Sequence, residues 1–155
     1  MSLRILSTRL IRPCLLSTPN LWIAHRGYAI KRFTKEHDWI SVEDGVGTLG
    51  ITDYAQKQLG EIVYVEIPDV GNAFTRGEPF GSVESVKSVS EVYAPVSGEV
   101  VAVNQLVSDE PEVVNQSAEE DGWLAKIQLK DPKELDALLD EAAYKAYYES
   151  LEDEH

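Results

Sequence analysis

Thiols and imidazoles are scarce in this 155-residue sequence: it has one cysteine, Cys14, and three histidines, His25, His37 and His155. A single thiol cannot close an internal disulfide, and if the arginine-bearing start of the chain is removed, only His37 and His155 remain, too few for a zinc cluster. No GxGxxG, Walker loop or HExxH occurs, and the glycines of "GVGTLG" (45–50) lack the lysine that a phosphate-binding loop needs. Any catalysis would have to rest on carboxylates alone. His37 has no thiol or hydroxyl partner identifiable in the sequence, and a histidine so isolated is read as structural.

Acids are missing from the start of the chain. All 27 lie at Glu36 or beyond, whereas Arg4, Arg9, Arg12 and Arg26 precede them. The opening "MSLRILSTRLIRPCLLSTPNLWIAHRGY" carries arginine and serine, with Leu3, Leu6 and Leu10 spaced for one helical face. Arg9, Arg12 and Pro13 interrupt the apolar residues, so neither a secretory signal nor a membrane span of about 20 residues fits. The segment reads as a mitochondrial transit peptide over residues 1–28, followed by one domain over residues 29–155 in the matrix. Cys14 would leave with the presequence. Ten bases would then face 27 acids, a formal charge of −17. Such a body repels nucleic acid and anionic lipid, and suits partners with basic docking patches.

From Trp39 short apolar runs alternate with turn residues: "WISV", "VGTLGI", "EIVYVEIP", "PFGSVESV", "SEVYAPV", "GEVVAVN" and "GWLAKIQL". This is a mainly β pattern, a sandwich or flattened barrel. "ITDYAQKQLG" inserts one short helix, with Thr52 as cap, Ile51, Ala55 and Leu59 on one face, and Gly60 as stop. Beyond Pro132, Leu135, Leu138, Leu139, Ala142 and Ala146 take helical spacing, predicting a C-terminal helical hairpin or bent helix over a sheet edge.

Positive charge is missing from a second stretch. Between Arg76 and Lys126 the only basic residue is Lys87, in "GSVESVKSVSEVYAPVSGEV" (81–100). The flanks read as two strands of nearly equal length, bracketed by Gly77 and by the turn formers Pro95 and Gly98, so the lysine stands at a hairpin tip. "VKS" is poor turn chemistry, since a tip favours Asn or Gly. Either the lysine is an ordinary solvated surface charge, or it is itself the reason for the turn.

At these residues the chain resembles the H-protein family of the glycine cleavage system. "ESVKSVSEVYAPVSGEVVAVN" is similar to its lipoyl-attachment stretch. The likeness continues through "FTKEHDWISVEDGVGTLGITDYAQKQLGEIVYVEIPDVG", "EDGWLAKIQL" and "ELDALLDEAAYKAYYE", about residues 33 to 150. Biotin carriers usually set Met on both sides of their lysine, and 2-oxoacid dehydrogenase lipoyl domains usually have Asp before it; here Val86 and Ser88 flank Lys87. The resemblance implies a hammerhead, lipoyl-domain-like barrel-sandwich with lipoate in amide linkage to Lys87. It implies a shuttle, not an enzyme: aminomethyl groups arrive from the pyridoxal phosphate enzyme glycine decarboxylase and pass to a tetrahydrofolate-dependent aminomethyltransferase. Electrons pass to FAD-containing dihydrolipoamide dehydrogenase, and lipoylation enzymes attach the group. "KEHDW" resembles the family segment whose carboxylates and aromatic help form the cleft for the loaded arm, with Glu36 and Asp38 at the matching positions. Glu84 and Glu91, on either side of Lys87, would present carboxylates to ligase and partners.

Two other classes compete: an acidic β-sandwich adaptor without cofactor, and a hydrolase using two of Glu36, Asp38, Glu84 and Glu91 as acid and base. Only the carrier gains the mass of a lipoyl amide. For the presequence, protein recovered from mitochondria is expected to begin near Tyr28 when its N-terminus is sequenced by mass spectrometry. A chain there still starting at Met1 would refute cleavage.

Overall fold

Asp44 and Gly45 set the first hairpin. Both hold positive φ, 51° and 78°, the conformation of an Asp-Gly pair in a type I′ turn, and they join β2 (Asp38–Glu43) to β3 (Val46–Ile51). The computed structural model describes residues 29–154, so the expected presequence and its cleavage site lie outside the described residues. β1 (Ile30–Phe33) precedes this hairpin. α1 (Asp53–Leu59), β4 (Ile62–Glu66), β5 (Ala73–Phe74), β6 (Pro79–Ser85), β7 (Val89–Tyr93) and β8 (Gly98–Val103) follow it. The chain then forms α2 (Gln105–Asp109), α3 (Glu112–Gln116), β9 (Ala125–Leu129), a 3-10 turn (Pro132–Ala137) and α4 (Glu141–Asp153).

Six strands in the order β1-β2-β3-β9-β8-β5 make one antiparallel sheet, and β4-β6-β7 make a second. Alternation along each strand sends one face inward. Ile40, Leu49, Val100 and Ile127 of the first sheet share a core with Val65, Val83 and Val92 of the second, each no more than 2% exposed. Burying each such side chain contributes roughly 1.5–3 kcal/mol before chain entropy is subtracted. The sandwich expected from the sequence is therefore present.

α1 forms where expected. The Thr52 hydroxyl accepts from the Ala55 N–H, and Gly60 ends the helix at φ 82°. Residues 105–116 carry no legible pattern in the sequence, yet α2 and α3 form there and bury Val107, Val113 and Val114. Five residues are too few to show a helical period. The reading of the C-terminus needs correction as well. Ala142 and Ala146 are exposed, and α4 packs through Tyr144, Tyr147 and Tyr148 against Phe33 and Trp39. Leu139 exchanges backbone hydrogen bonds with Phe33, N to O 2.8 and 2.9 Å, so this segment covers the β1 edge, as expected.

Gly98 is structural for a reason other than turn formation: it opens β8 opposite Leu129, and a Cβ there would run into the backbone carbonyl oxygen of Gln128 on β9. That oxygen cannot give way without disturbing the ladder. Gly98→Ala is expected to lower the unfolding free energy by about 1–3 kcal/mol, measured by urea denaturation.

Candidate functional site

Lys87 stands at the tip of the β6–β7 hairpin. Glu84 pairs with Val89 and the Ser85 N–H donates to the Ser88 carbonyl at 2.8 Å, leaving Val86 and Lys87 to turn the chain. Among the described residues the only non-glycines with positive φ are His37 and Asp44, so this is not a primed turn. Its closure comes from Ser85, whose buried Oγ accepts from the N–H of Lys87 at 3.2 Å and of Ser88 at 3.1 Å. A serine hydroxyl bonding the backbone two and three residues on is the device that replaces Asn or Gly here. Outside the hairpin, the Val86 N–H donates to the Glu61 carbonyl at 3.1 Å. The Lys87 side chain crosses Gly60, where an added Cβ would lie 3.3 Å from Cε and 3.6 Å from Nζ. Lys87 itself is exposed and joins no ion pair among the described residues.

The carboxylates divide. Glu84 and Glu91 both lie on the solvent face of the hairpin, Glu84 between Tyr64 and Val89, Glu91 opposite Ser82. Glu91 accepts from the Tyr93 hydroxyl at 2.8 Å. That bond, and the charge of Glu91, raise the Tyr93 pKa, with smaller pushes from Asp38 and Glu36. Tyr93 thus connects three of the four acids, and Glu84 stands apart beside the tip. Tyr93 had no signal in the sequence, where "SEVYAP" reads only as a strand and a turn.

Asp38 is unlike the other acids. It is 4% exposed, and its Oδ2 is buried with no hydrogen-bond partner. Burial raises its pKa well above the ordinary aspartate value, the neighbouring Glu36 adds to the rise, and the Tyr93 backbone N–H opposes it. A tight loop aims this side chain. The Thr34 N–H donates to the Asp38 carbonyl, the Asp38 N–H to Thr34 Oγ1 and the His37 N–H to the Thr34 carbonyl. His37 holds φ 70°, a left-handed geometry costing a non-glycine on the order of 1–3 kcal/mol. Tyr144 offsets that cost, with its hydroxyl 3.0 Å from His37 Nδ1, and Tyr54 and Tyr147 flank the ring. His37 is built into packing, as the sequence suggests. Glu36, Asp38 and Tyr93, with Phe33, Arg76 and Leu139, help line a cavity of about 570 Å³, within the usual range for small-ligand sites.

A family model described as Glycine cleavage H-protein matches residues 31–151. The glycine cleavage system H protein of Beijerinckia indica subsp. indica is 54% identical over 123 residues, covering 79% of this chain and 99% of that protein. The protein of the same description from Thermotoga maritima is 49% identical over 118 residues, covering 76% and 95%. The crystal structure of a glycine cleavage system H protein from Mycobacterium marinum has a TM-score of 0.70 to this fold at 34% identity, over 76% of this chain and 95% of that one.

Asp38 gives stability a pH dependence of fixed sign. Its pKa is higher folded than unfolded, so the folded chain holds the proton more tightly. The resulting stability is complete below the unfolded value, about 3.9, and is lost as pH rises through the folded one. Asp38→Asn, neutral throughout, is expected to raise the urea midpoint at neutral pH and to change it little near the unfolded aspartate value. Equal effects at both would show that Asp38 carries no such penalty.

Proposed function

The chain belongs to the glycine cleavage H-protein family, and from that premise we propose that it is the lipoyl-carrying shuttle of a glycine cleavage system, with Lys87 as the attachment point. It is a carrier component and not a catalyst. The observation that carries the assignment of Lys87 is its placement: the only cation between Arg76 and Lys126 stands exposed on a turn pinned by Ser85 and Glu61.

The residues fit a lysine-linked lipoyl group. Lys87 Nζ has no salt-bridge partner among the described residues, Gly60 leaves its stem unobstructed, and at the other end of β7 a buried carboxylate oxygen lacks a donor. Lipoate, once in amide linkage, supplies the dithiol and disulfide chemistry that residues 29–155 lack for want of cysteine.

The chain's own residues have three tasks in this reading. Ser85 and Glu61 fix the root, so the freedom of the arm begins at the Lys87 side chain. Asp38 offers Oδ2 to a cationic amine, and Glu36 and Glu91 add negative potential around it, suiting the ammonium end of an aminomethyl cargo. Pairing with a cation would also bring the Asp38 pKa down, reversing the penalty of burying it. Glu84, beside the tip and away from Asp38, is better placed to meet the lipoylation enzymes. The partners in this reading are glycine decarboxylase, the folate-dependent aminomethyltransferase and dihydrolipoamide dehydrogenase. The acid-free, arginine-bearing residues 1–28 support a mitochondrial matrix location.

Lys87→Arg is the direct test, since arginine keeps the charge but cannot form the ε-amide. Incubated with lipoylation enzymes, the wild type is expected to gain one lipoyl group by intact mass and the variant none. A reconstituted glycine cleavage assay should then lose all dependence on the added variant. Normal glycine cleavage with Lys87→Arg would end the assignment.

A further inference from the structure

Lys87 sits on a turn whose outer support comes from a helix distant in sequence. Asn115, on α3, inserts its side-chain amide between α1 and β4. Its Oδ1 accepts from the Ile62 N–H at 2.8 Å, and its Nδ2 donates to the Gly60 carbonyl at 2.8 Å and to Gln56 Oε1 at 3.0 Å. The two backbone partners fix which way the amide points, because an N–H requires the oxygen and a carbonyl requires the nitrogen. Asn115 therefore grips the residues on both sides of Glu61. The Glu61 carbonyl, between the two grips, accepts from the Val86 N–H at 3.1 Å, and Gly60, held by the same amide, is the surface over which the Lys87 stem lies. One side chain thus sets two supports of the lysine, the anchor of its turn and the bed of its stem.

We propose that Asn115 is a positioning residue for Lys87: through Gly60, Glu61 and Ile62 it holds the tip in the orientation that a lipoyl-attaching enzyme must meet. This rests on the carrier reading. In the attachment step Nζ gives up a proton and displaces AMP from a lipoyl adenylate made with ATP, so the amide forms as the acyl–phosphate bond breaks. Attack of that kind needs a directed nitrogen. Misplacing a reacting group by about an ångström can slow a reaction by up to about a hundredfold.

The test compares Asn115→Ala with Asn104→Ala in the full chain, using a lipoyl-attaching ligase, ATP and free lipoate. Asn104 is a matched control. It also makes three hydrogen bonds, to the Asp121 and Trp123 carbonyls and from the Leu106 N–H, and none of them leads to the hairpin. Asn115→Ala is expected to lower kcat/KM for lipoylation of Lys87 by about tenfold and to strip hydrogen-exchange protection from the Val86 amide. Asn104→Ala should lower the melting temperature while leaving both readouts at wild-type values. If Asn115→Ala does not fold, Asn115→Asp keeps the acceptor for Ile62, loses both donors, and should show the same two losses in smaller degree. Wild-type lipoylation that stays unchanged in the folded Asn115 variant, or that falls equally in Asn104→Ala, overturns this inference and leaves the carrier reading standing. Failure of the wild type itself to accept lipoate at Lys87 would instead remove the reading beneath it.

Discussion

Two hydrogen bonds to one hydroxyl hold the hairpin tip on which Lys87 stands. Ser85 Oγ takes the N–H groups of Lys87 and Ser88 in a turn with no glycine, no asparagine and no positive φ. Such a turn between twisted strands is intrinsically poor. Without the serine, two amide donors would compete for water and the tip would fray, as hairpin ends do. With it, Val and Lys can occupy positions that turn chemistry would normally reserve. The β2–β3 hairpin makes the contrast within one chain: no reactive side chain is needed there, and Asp44-Gly45 adopts the ordinary primed geometry.

Rigidity at the tip is matched by an electrostatic deficit at the far end of β7. A carboxyl group as buried as Asp38, with one oxygen unpartnered, works against the fold whenever it is ionised. Its position is nevertheless tightly built, by the Thr34 loop before it, by left-handed His37 and by the Tyr144 hydroxyl behind that ring. Tyr144 also hydrogen-bonds Thr52 at 2.7 Å, and Thr52 caps α1. One tyrosine of the C-terminal helix therefore braces both the loop that aims Asp38 and the helix that ends at the Lys87 bed. The C-terminal segment does more than cover an edge.

How much of this could be read from the sequence depends on the range of the interaction. The alternation of "EIVYVEIP" and "PFGSVESV" reports burial on a sheet face, which is local, and both became strands. Thr52 and Gly60 declare a helix start and stop through their own backbone chemistry, and both act so. Lys87 stood out because its surroundings hold no other cation. Asp38 was named only through resemblance, because nothing in "KEHDW" distinguishes a buried aspartate from an exposed glutamate two residues earlier. Tyr93 and Asn115 were not legible at all. Their roles come from contacts across 53 to 59 residues of chain for Asn115 with Ile62, Gly60 and Gln56, or between Tyr93 and Asp38, and no periodicity encodes a partner at that range. Ala142 and Ala146 misled for the opposite reason: their spacing is helical, but Tyr144 between them and Tyr147 and Tyr148 after them face the core.

The distance between the two halves of the site decides what kind of molecule this can be. Tyr93 is six residue steps along the chain from Lys87, about 20 Å at the usual rise, and Asp38 lies beside Tyr93. A lysine side chain reaches roughly 6 Å from its Cα by its bond lengths. Unmodified, Lys87 cannot supply the donor that Asp38 Oδ2 lacks, and the hairpin is too well pinned to fold its tip back. A direct acid–base pair between Lys87 and Asp38 is excluded on length alone. Only a long attachment on the lysine can bring the two ends into one chemistry.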